Sequence, residues 1–320
     1  MGKRSAPTGR TPFGKVPLVR QGKWPLIVTF LVPPVLLYVF FVVSPYLQAF
    51  QISTTDWLGY SADANQVGLA NFRSLWHDDY VWNALKNNAI LLGLVPVLTI
   101  VLGLFFASML ALGGRKGRAG VTGVRGGALY RTVYFFPQVL SVVIIALLWK
   151  EVYHPNQGLL SGAVRAVGLP APTWLGDPAT AFWCVLAVMV WSNVGFYVVL
   201  FGAAMSAVPK EIYEAVLLDG ASRFTTLRRV TLPLLWDTIQ VAWVYLAIFA
   251  LDGFILVQLM TNGGPNFSTD VIGVRMYDTA FGSETKFGYA SAIGVVMFFL
   301  TLTVAVLSLR VGRRERIEYS

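Results

Sequence analysis

The sequence predicts an all-α integral membrane protein with six transmembrane helices and a helix–turn–helix loop in the cytoplasm between spans four and five. Three observations carry this. Of the 320 residues, 56% are hydrophobic and only 13% are charged, with a mean hydropathy of +0.62, whereas a soluble domain carries about 25% charged residues. Six apolar stretches each reach the roughly 20 residues that cross a hydrocarbon core of about 30 Å. The basic residues then divide unequally between alternate connections, 19 of the 25 falling on one side.

The elements follow in order. Residues 1–24 form a basic leader holding Lys3, Arg4, Arg10, Lys15, Arg20 and Lys23, and its composition predicts disorder. Span one is Pro25–Leu47. Its apolar run is longer than the roughly 7–15 residues of a signal-peptide core, so it reads as an uncleaved span. Spans two to six are Asn88–Leu112, Thr132–Tyr153, Ala181–Val208, Leu234–Met260 and Phe287–Leu309. Residues 25–311 thus form one six-helix domain, and 312–320 form a tail. Pro33, Pro34, Pro96 and Pro137 lie inside spans, which lipid tolerates where neighbouring helices satisfy the freed carbonyls.

Basic residues concentrate in the leader, in the loop after span two, in the loop after span four and in the tail. Cytoplasmic loops carry the lysine and arginine excess, so both termini and residues 209–233 are expected in the cytoplasm. The net charge of +9 is then a topology signal and excludes nucleic acid as its explanation. The single cysteine, Cys184, excludes an internal disulfide framework and reads as a small packing residue.

The stretch "EIYEAVLLDGASRFTTLRRVTLP" (211–233) stands apart from the apolar spans on either side. At 100° per residue, Lys210, Glu211 and Glu214 share one arc of a helix, while Ile212, Tyr213 and Val216 take the other side. Leu218 falls inside the charged arc, where an apolar side chain points to a protein contact. Asp219 and Gly220 break the helix, glycine being able to take the left-handed conformation that ends one. Ser222 is placed to cap a second helix over 223–232. Pro233 suits the first turn of span five, making the second helix rigidly continuous with that span. A solvated loop resting on the membrane surface would share this pattern.

Glu214-Ala215-Val216, three residues, Gly220, nine residues and then Val230-Thr231-Leu232-Pro233 resembles the EAA loop of binding-protein-dependent ABC importer permeases, with Val216 and Val230 standing for alanine and isoleucine. The flanking "VPKEIYEAVLLDGAS" is similar to the carbohydrate, maltose-type branch. "VGLANF" (67–72), "YRTVYFFP" (130–137) and "TNGGP" (261–265) fall in the family's order, and the resemblance covers residues 25–310. In "NQGLLSGAV" (156–164), Ser161 stands where the family often has asparagine. The resemblance implies the permease subunit of an ATP-driven importer for a sugar or oligosaccharide in a bacterial or archaeal cell membrane. It implies four partners: a second permease chain, two cytoplasmic ATPase subunits and an external solute-binding protein. Glu214, Ala215, Leu218, Asp219, Gly220 and Pro233 are then the residues expected to couple to the ATPase.

No catalytic residue and no metal site is expected in this chain. Gly14-Lys15 and Gly22-Lys23 are followed by valine and tryptophan, so no phosphate-binding P-loop is present. ATP and Mg are expected on the partner ATPase, with no cofactor on this chain. "GGRKGRAG" (113–120) reads as a basic turn after a span. His77 and His154 lie in separate outer loops.

Polar groups inside spans mark solute paths or helix–helix bonds. Ser192, Asn193, Asp252 and Gln258 are the candidates, and for each both readings stand. Trp191, Trp243 and Tyr245 either stack on sugar or anchor the bundle. "TNGGP" is either a flexible loop that meets a delivery protein or a tight turn before span six. No lysine or arginine lies mid-span, which leans toward a neutral solute over glycerol phosphate. An ion-coupled transporter using Asp252 is the alternative from another class. A membrane enzyme would need acidic or histidine clusters that the sequence lacks.

Overall fold

The computed structural model describes residues 23–60, 64–112, 116–117, 120–121, 126–282 and 285–311. The basic leader up to residue 22, the tail 312–320 and most of the turn 113–120 lie outside the described residues. The described residues divide into two units, one up to Gln48 and one from Ala49 onward. The first holds α1 (Lys23–Tyr38), a π-helical turn at Val39–Val43 and the start of α2 (Ser44–Ile52). Residues Ile27–Ile52 are apolar and long enough to span a membrane.

In the second unit, α3 (Ala70–Trp76) precedes α4 (Asp79–Leu112). Asp78 starts α4 by accepting from Tyr80 N at 2.9 Å, satisfying a backbone donor that the first helical turn leaves free. At 34 residues, α4 is about 50 Å long. It begins nine residues before the apolar stretch, because its first turns are polar and carry Asn83 and Asn87. The short strands β1 (Lys116–Gly117) and β2 (Gly120–Val121) pair antiparallel.

Span three is not one straight helix. α5 (Gly127–Val139) and α6 (Val142–Val152) meet at 100°. Pro137 cannot donate to the preceding turn, Leu140 is extended, and Ser141 restarts the helix by accepting from Ile144 N at 3.4 Å. After α7 (Leu159–Ala166), Asp177 caps α8 (Pro178–Ala207), with proline at its first turn. α8 is the most deeply buried of the candidate spans and packs against α4 and α5.

The loop after α8 holds α9 (Lys210–Leu218), α10 (Arg223–Thr226), a π-helical turn at Leu227–Thr231 and α11 (Leu232–Leu234). Span five follows as α12 (Trp236–Asp252) and α13 (Phe254–Met260), broken at Gly253. The sequence predicts one continuous span here, and Gly253 interrupts it. α14 (Ile272–Phe281) and α15 (Phe287–Val311) complete the unit. Among the described residues, four helices pass as membrane spans by length and composition, and up to six do if each bent pair counts as one.

Three apolar clusters hold the unit. One, built on Leu91, Ile145, Val188, Met189 and Leu256, joins α4, α6, α8 and α13. Cys184 belongs to it. A second, on Leu104, Phe201, Met205, Tyr213 and Leu246, joins α4, α8, α9 and α12. The third, on Val81, Ala84, Ile272 and Ile293, closes the opposite end.

Candidate functional site

The loop between α8 and α12 presents one face to the bundle and one to its surroundings. Tyr213 is buried in the second cluster, and Ile212 packs beside it. Glu214, Ala215, Asp219 and Gly220 are exposed, and Leu218 is 89% exposed, more than any other large apolar residue described. The amphipathic division expected of 210–219 is therefore present. β2 lies against α9, so the turn after span two supports this helix.

Gly220 has φ +74°, and Ala221 N donates to Val216 O at 3.2 Å. That bond from the second residue past the helix end back to its last turn is the Schellman arrangement, which needs a left-handed residue in this place. A Cβ on Gly220 would meet nothing within 4 Å, so its surroundings within this chain are open. Ser222 Oγ accepts from Thr225 N at 3.2 Å, the expected cap.

Beyond the cap the structure departs from a rigid rod. The π-helical turn places Thr231, fully buried, with its hydroxyl 3.4 Å from Thr226 O. The stretch Phe224–Leu234 then lies at 77° to Trp236–Asp252. Pro233 is exposed within the last turn before the corner. The corner is Leu235, whose side chain is buried against the second cluster. The rigid continuity expected through Pro233 is therefore absent: this stretch joins span five at a packed corner.

The four polar span residues fall into two places. Ser192 is buried and donates to Met189 O at 3.0 Å; Asn193 Nδ2 donates to the same carbonyl at 2.9 Å. Gly253 sits against Met189 Cε, which a Cβ there would approach to 3.1 Å. The break that follows Asp252 therefore abuts the turn of α8 that carries Ser192 and Asn193. Asp252 is exposed, and its carboxylate makes no hydrogen bond with the described residues. The alternative of a structural bond to a neighbouring helix finds no partner among them. Gln258 lies apart, donating to Asn262 Oδ1 at 2.5 Å at the far end of α13.

Of the aromatic candidates, Trp191 meets Trp149 edge-on at 5.1 Å, Trp243 packs beside the second cluster, and Tyr245 is exposed. A groove of about 780 Å³ runs past Leu98, Tyr134, Pro137, Trp191 and Gly195. None of the four polar candidates lines it. His77 and His154 are both engaged locally, their Nδ1 atoms with Arg73 O and with Asn156 and Gln157 N–H. Ser161, fully buried, accepts from Trp174 Nε1 at 2.9 Å.

Residues 261–271 correct the expectation of a flexible loop or a simple tight turn before span six. Asn262, Asn266 and Phe267 all have positive φ, and α14 intervenes before α15. Thr269 bonds Thr261 Oγ1 at 2.7 Å and Gly264 O at 2.8 Å. From α4, Asn83 donates to Phe267 O at 2.6 Å, and Asn87 donates to Ser268 O and Asp270 O. These asparagines were missed in the sequence, although their i, i+4 spacing puts both on one helix face. Gln138, which donates to Ser192 O at 2.7 Å, was also missed.

Residues 100–317 match the family model "Binding-protein-dependent transport system inner membrane component". The chain belongs to this family. It is 44% identical over 288 residues to the diacetylchitobiose uptake system permease protein NgcF of Streptomyces coelicolor, covering 89% of this chain and 81% of the relative. It is 30% identical to the trehalose/maltose transport system permease protein MalF of Thermococcus litoralis, covering 86% and 90%. Its fold matches a chain of the bacterial alginate ABC transporter with a TM-score of 0.77 over 91% of this chain and 95% of that one, at 22% identity. This member of the binding-protein-dependent family is thus a multi-pass membrane protein and a permease subunit of an ABC importer.

Proposed function

We propose that the chain is one half of the membrane pathway of an ATP-driven importer for a sugar or oligosaccharide. It pairs with a second, related permease chain. Two cytoplasmic ATPase subunits dock at residues 211–233, and a solute-binding protein delivers cargo on the opposite side. Both termini lie in the cytoplasm. ATP and Mg belong to the ATPase, and this chain binds no cofactor and hydrolyses nothing itself.

The observation that carries this reading is the face around Gly220. Glu214, Ala215, Leu218 and Asp219 stand exposed on a helix whose other side is anchored by Tyr213. An isolated helix of nine residues is marginal in water, so the anchored face and the Schellman end are what hold it in shape for a partner. An exposed leucine beside an open glycine turn suits insertion into an apolar cleft. Glu214 adds a charge for a basic partner group. ATP-driven closure pushes α9, and the packed corner at Leu235 turns that push into span five. The sugar class rests on the printed roles of the relatives and on the lack of basic side chains mid-span. Asp252, Ser192 and Asn193 around Met189 offer hydroxyl-binding groups along the path, with Gln258 nearer the outer end.

Crosslinking in native membranes tests this reading. Ala215→Cys or Leu218→Cys, in a chain whose only other cysteine is the buried Cys184, is expected to capture an ATPase subunit. No capture from either position under conditions that label both thiols overturns it.

A further inference from the structure

Asn88 joins three parts of the fold that are distant in sequence. It is 3% exposed on α4. Its Nδ2 donates to Leu251 O at 2.9 Å, and its Oδ1 accepts from Ile272 N at 2.8 Å. Both partners are backbone groups at helix ends. Leu251 lies in the last turn of α12, and Ile272 opens α14. The last carbonyls and first N–H groups of a helix have no partner inside it, so one amide satisfies an orphan of each kind. The next residue after Leu251 is Asp252, and the break at Gly253 follows.

The same face of α4 grips the outer loop through Asn83 and Asn87, whose amides hold Phe267 O, Ser268 O and Asp270 O. Phe267 is held in the left-handed region at φ +56°, a conformation that bulky residues keep only when their surroundings impose it. The outer loop is therefore fixed to α4, and α4 is fixed through Asn88 to both the loop's exit and the end of α12.

We propose that Asn88 is a positioning residue that makes the broken turn of span five, carrying Asp252, respond to the outer loop 261–271. Its amide is the junction: a shift of the loop moves Ile272 N, and the same side chain carries that shift to Leu251 O. Asp252 is thereby oriented from the delivery side of the membrane, while α9 acts on the other end of the same span. The functional meaning rests on the importer reading above, but the junction itself does not.

Hydrogen exchange measured by mass spectrometry tests the junction in the full-length chain, purified from native membranes with its bound subunits. Gly263→Ala loosens the outer loop, because Gly263 has φ +76° and a Cβ would stand 3.2 Å from Asp270 Oδ1. In the wild-type background this change is expected to speed exchange in 261–272 and also in 248–256. In Asn88→Leu, which removes both bonds, Gly263→Ala is expected to speed exchange in 261–272 only. Asn88→Asp keeps an acceptor for Ile272 N and loses the donor to Leu251 O, and it is expected to break the transmission in the same way. It answers the question where Asn88→Leu does not accumulate. A side chain that merely stabilises the fold would raise exchange in both segments yet leave the response of 248–256 to Gly263→Ala intact in both backgrounds. That result overturns the proposal. Failure of the ATPase crosslinks would instead count against the importer reading and leave this measurement standing.

Discussion

Gly195 of α8 lies directly against the backbone carbonyl of Tyr134 in α5. A Cβ built on Gly195 would land on that oxygen, with the Phe135 amide 3.2 Å away. The obstacle is backbone, so no rotamer change relieves it. Lipid tails are as apolar as leucine, and membrane helices associate through close packing made possible by small residues. Gly195→Ala is expected to cost about 1–3 kcal/mol, the range for overpacking a filled interior. Thermal unfolding in detergent measures it. A midpoint equal to wild type would mean that α5 and α8 do not pack this closely.

Gly220 and Glu214 separate folding from coupling. Gly220→Asp must hold an aspartate at φ +74°, which aspartate adopts less readily than glycine, and it places a charge in the open turn. Glu214→Lys reverses an exposed charge that makes no described bond within the chain. Both variants are expected to reach the membrane at wild-type levels and to lose uptake of labelled sugar. Gly220→Asn, a residue that tolerates the left-handed region, is expected to retain more activity than Gly220→Asp. Wild-type uptake by both charged variants would remove the coupling role.

Much of this was legible because one signal dominates in a membrane chain. Apolar runs fixed the spans, and the 3.6-residue period divided α9 into its buried Tyr213 face and its exposed Glu214 face. Gly220 and Ser222 were readable because turn and cap geometry is local. The breaks were not. Pro137 lies inside α5, and the helix continues past it to Val139 before turning by 100°; hydropathy is blind to direction. Gly253 looked like any small residue in a span, yet it faces Met189 and Leu91, which a Cβ there would approach to 3.1 and 3.7 Å. The asparagines of α4 pair with backbone more than 160 positions away, and no short-range pattern announces such partners.

Asp270 ties the loop 261–271 to pH. It is 2% exposed, and burial pushes its carboxyl up to about 7, with Arg275 opposing and Asp278 and Asp78 adding to the rise. Arg275 faces this group from α14 while its guanidinium lies 4.6 Å from the centre of the Tyr80 ring. In the folded chain the proton is held up to about pH 7, whereas in the unfolded chain it leaves near the ordinary value of 3.8. Between these values the folded state binds more protons, so stability falls as pH rises, by at most about 1.4 kcal/mol per pH unit for one proton. Below about 4 and above about 7 this group adds no slope. Asp270→Asn is expected to flatten the decline across that window, measured by chemical denaturation in detergent at several pH values. An unchanged slope would mean that the carboxyl is solvated or paired.

Asp252 is the residue on which the path reading is most exposed to test. It ends α12 with no described partner, and an ionisable group at membrane depth costs about 2.5–3.5 kcal/mol on insertion scales unless it meets water or a partner. Beside it, Gly253 leaves room for Met189 Cε, which a Cβ there would approach to 3.1 Å, and the Met189 carbonyl already holds Ser192 and Asn193. The donors of those two side chains are thus spent inside α8, and the Asp252 carboxylate, engaged by no described residue, is the charged acceptor among the candidates. A hydrogen bond to a charged group contributes about 1.5–3 kcal/mol, so Asp252→Ala is expected to raise the KM for uptake on the order of 10- to 100-fold. ATPase activity of the assembled transporter without solute is expected to stay near wild type, because α9 and the corner at Leu235 are untouched. A variant that instead loses chain from the membrane, with the KM of the remainder unchanged, would show that Asp252 bonds a partner subunit and does not line the path.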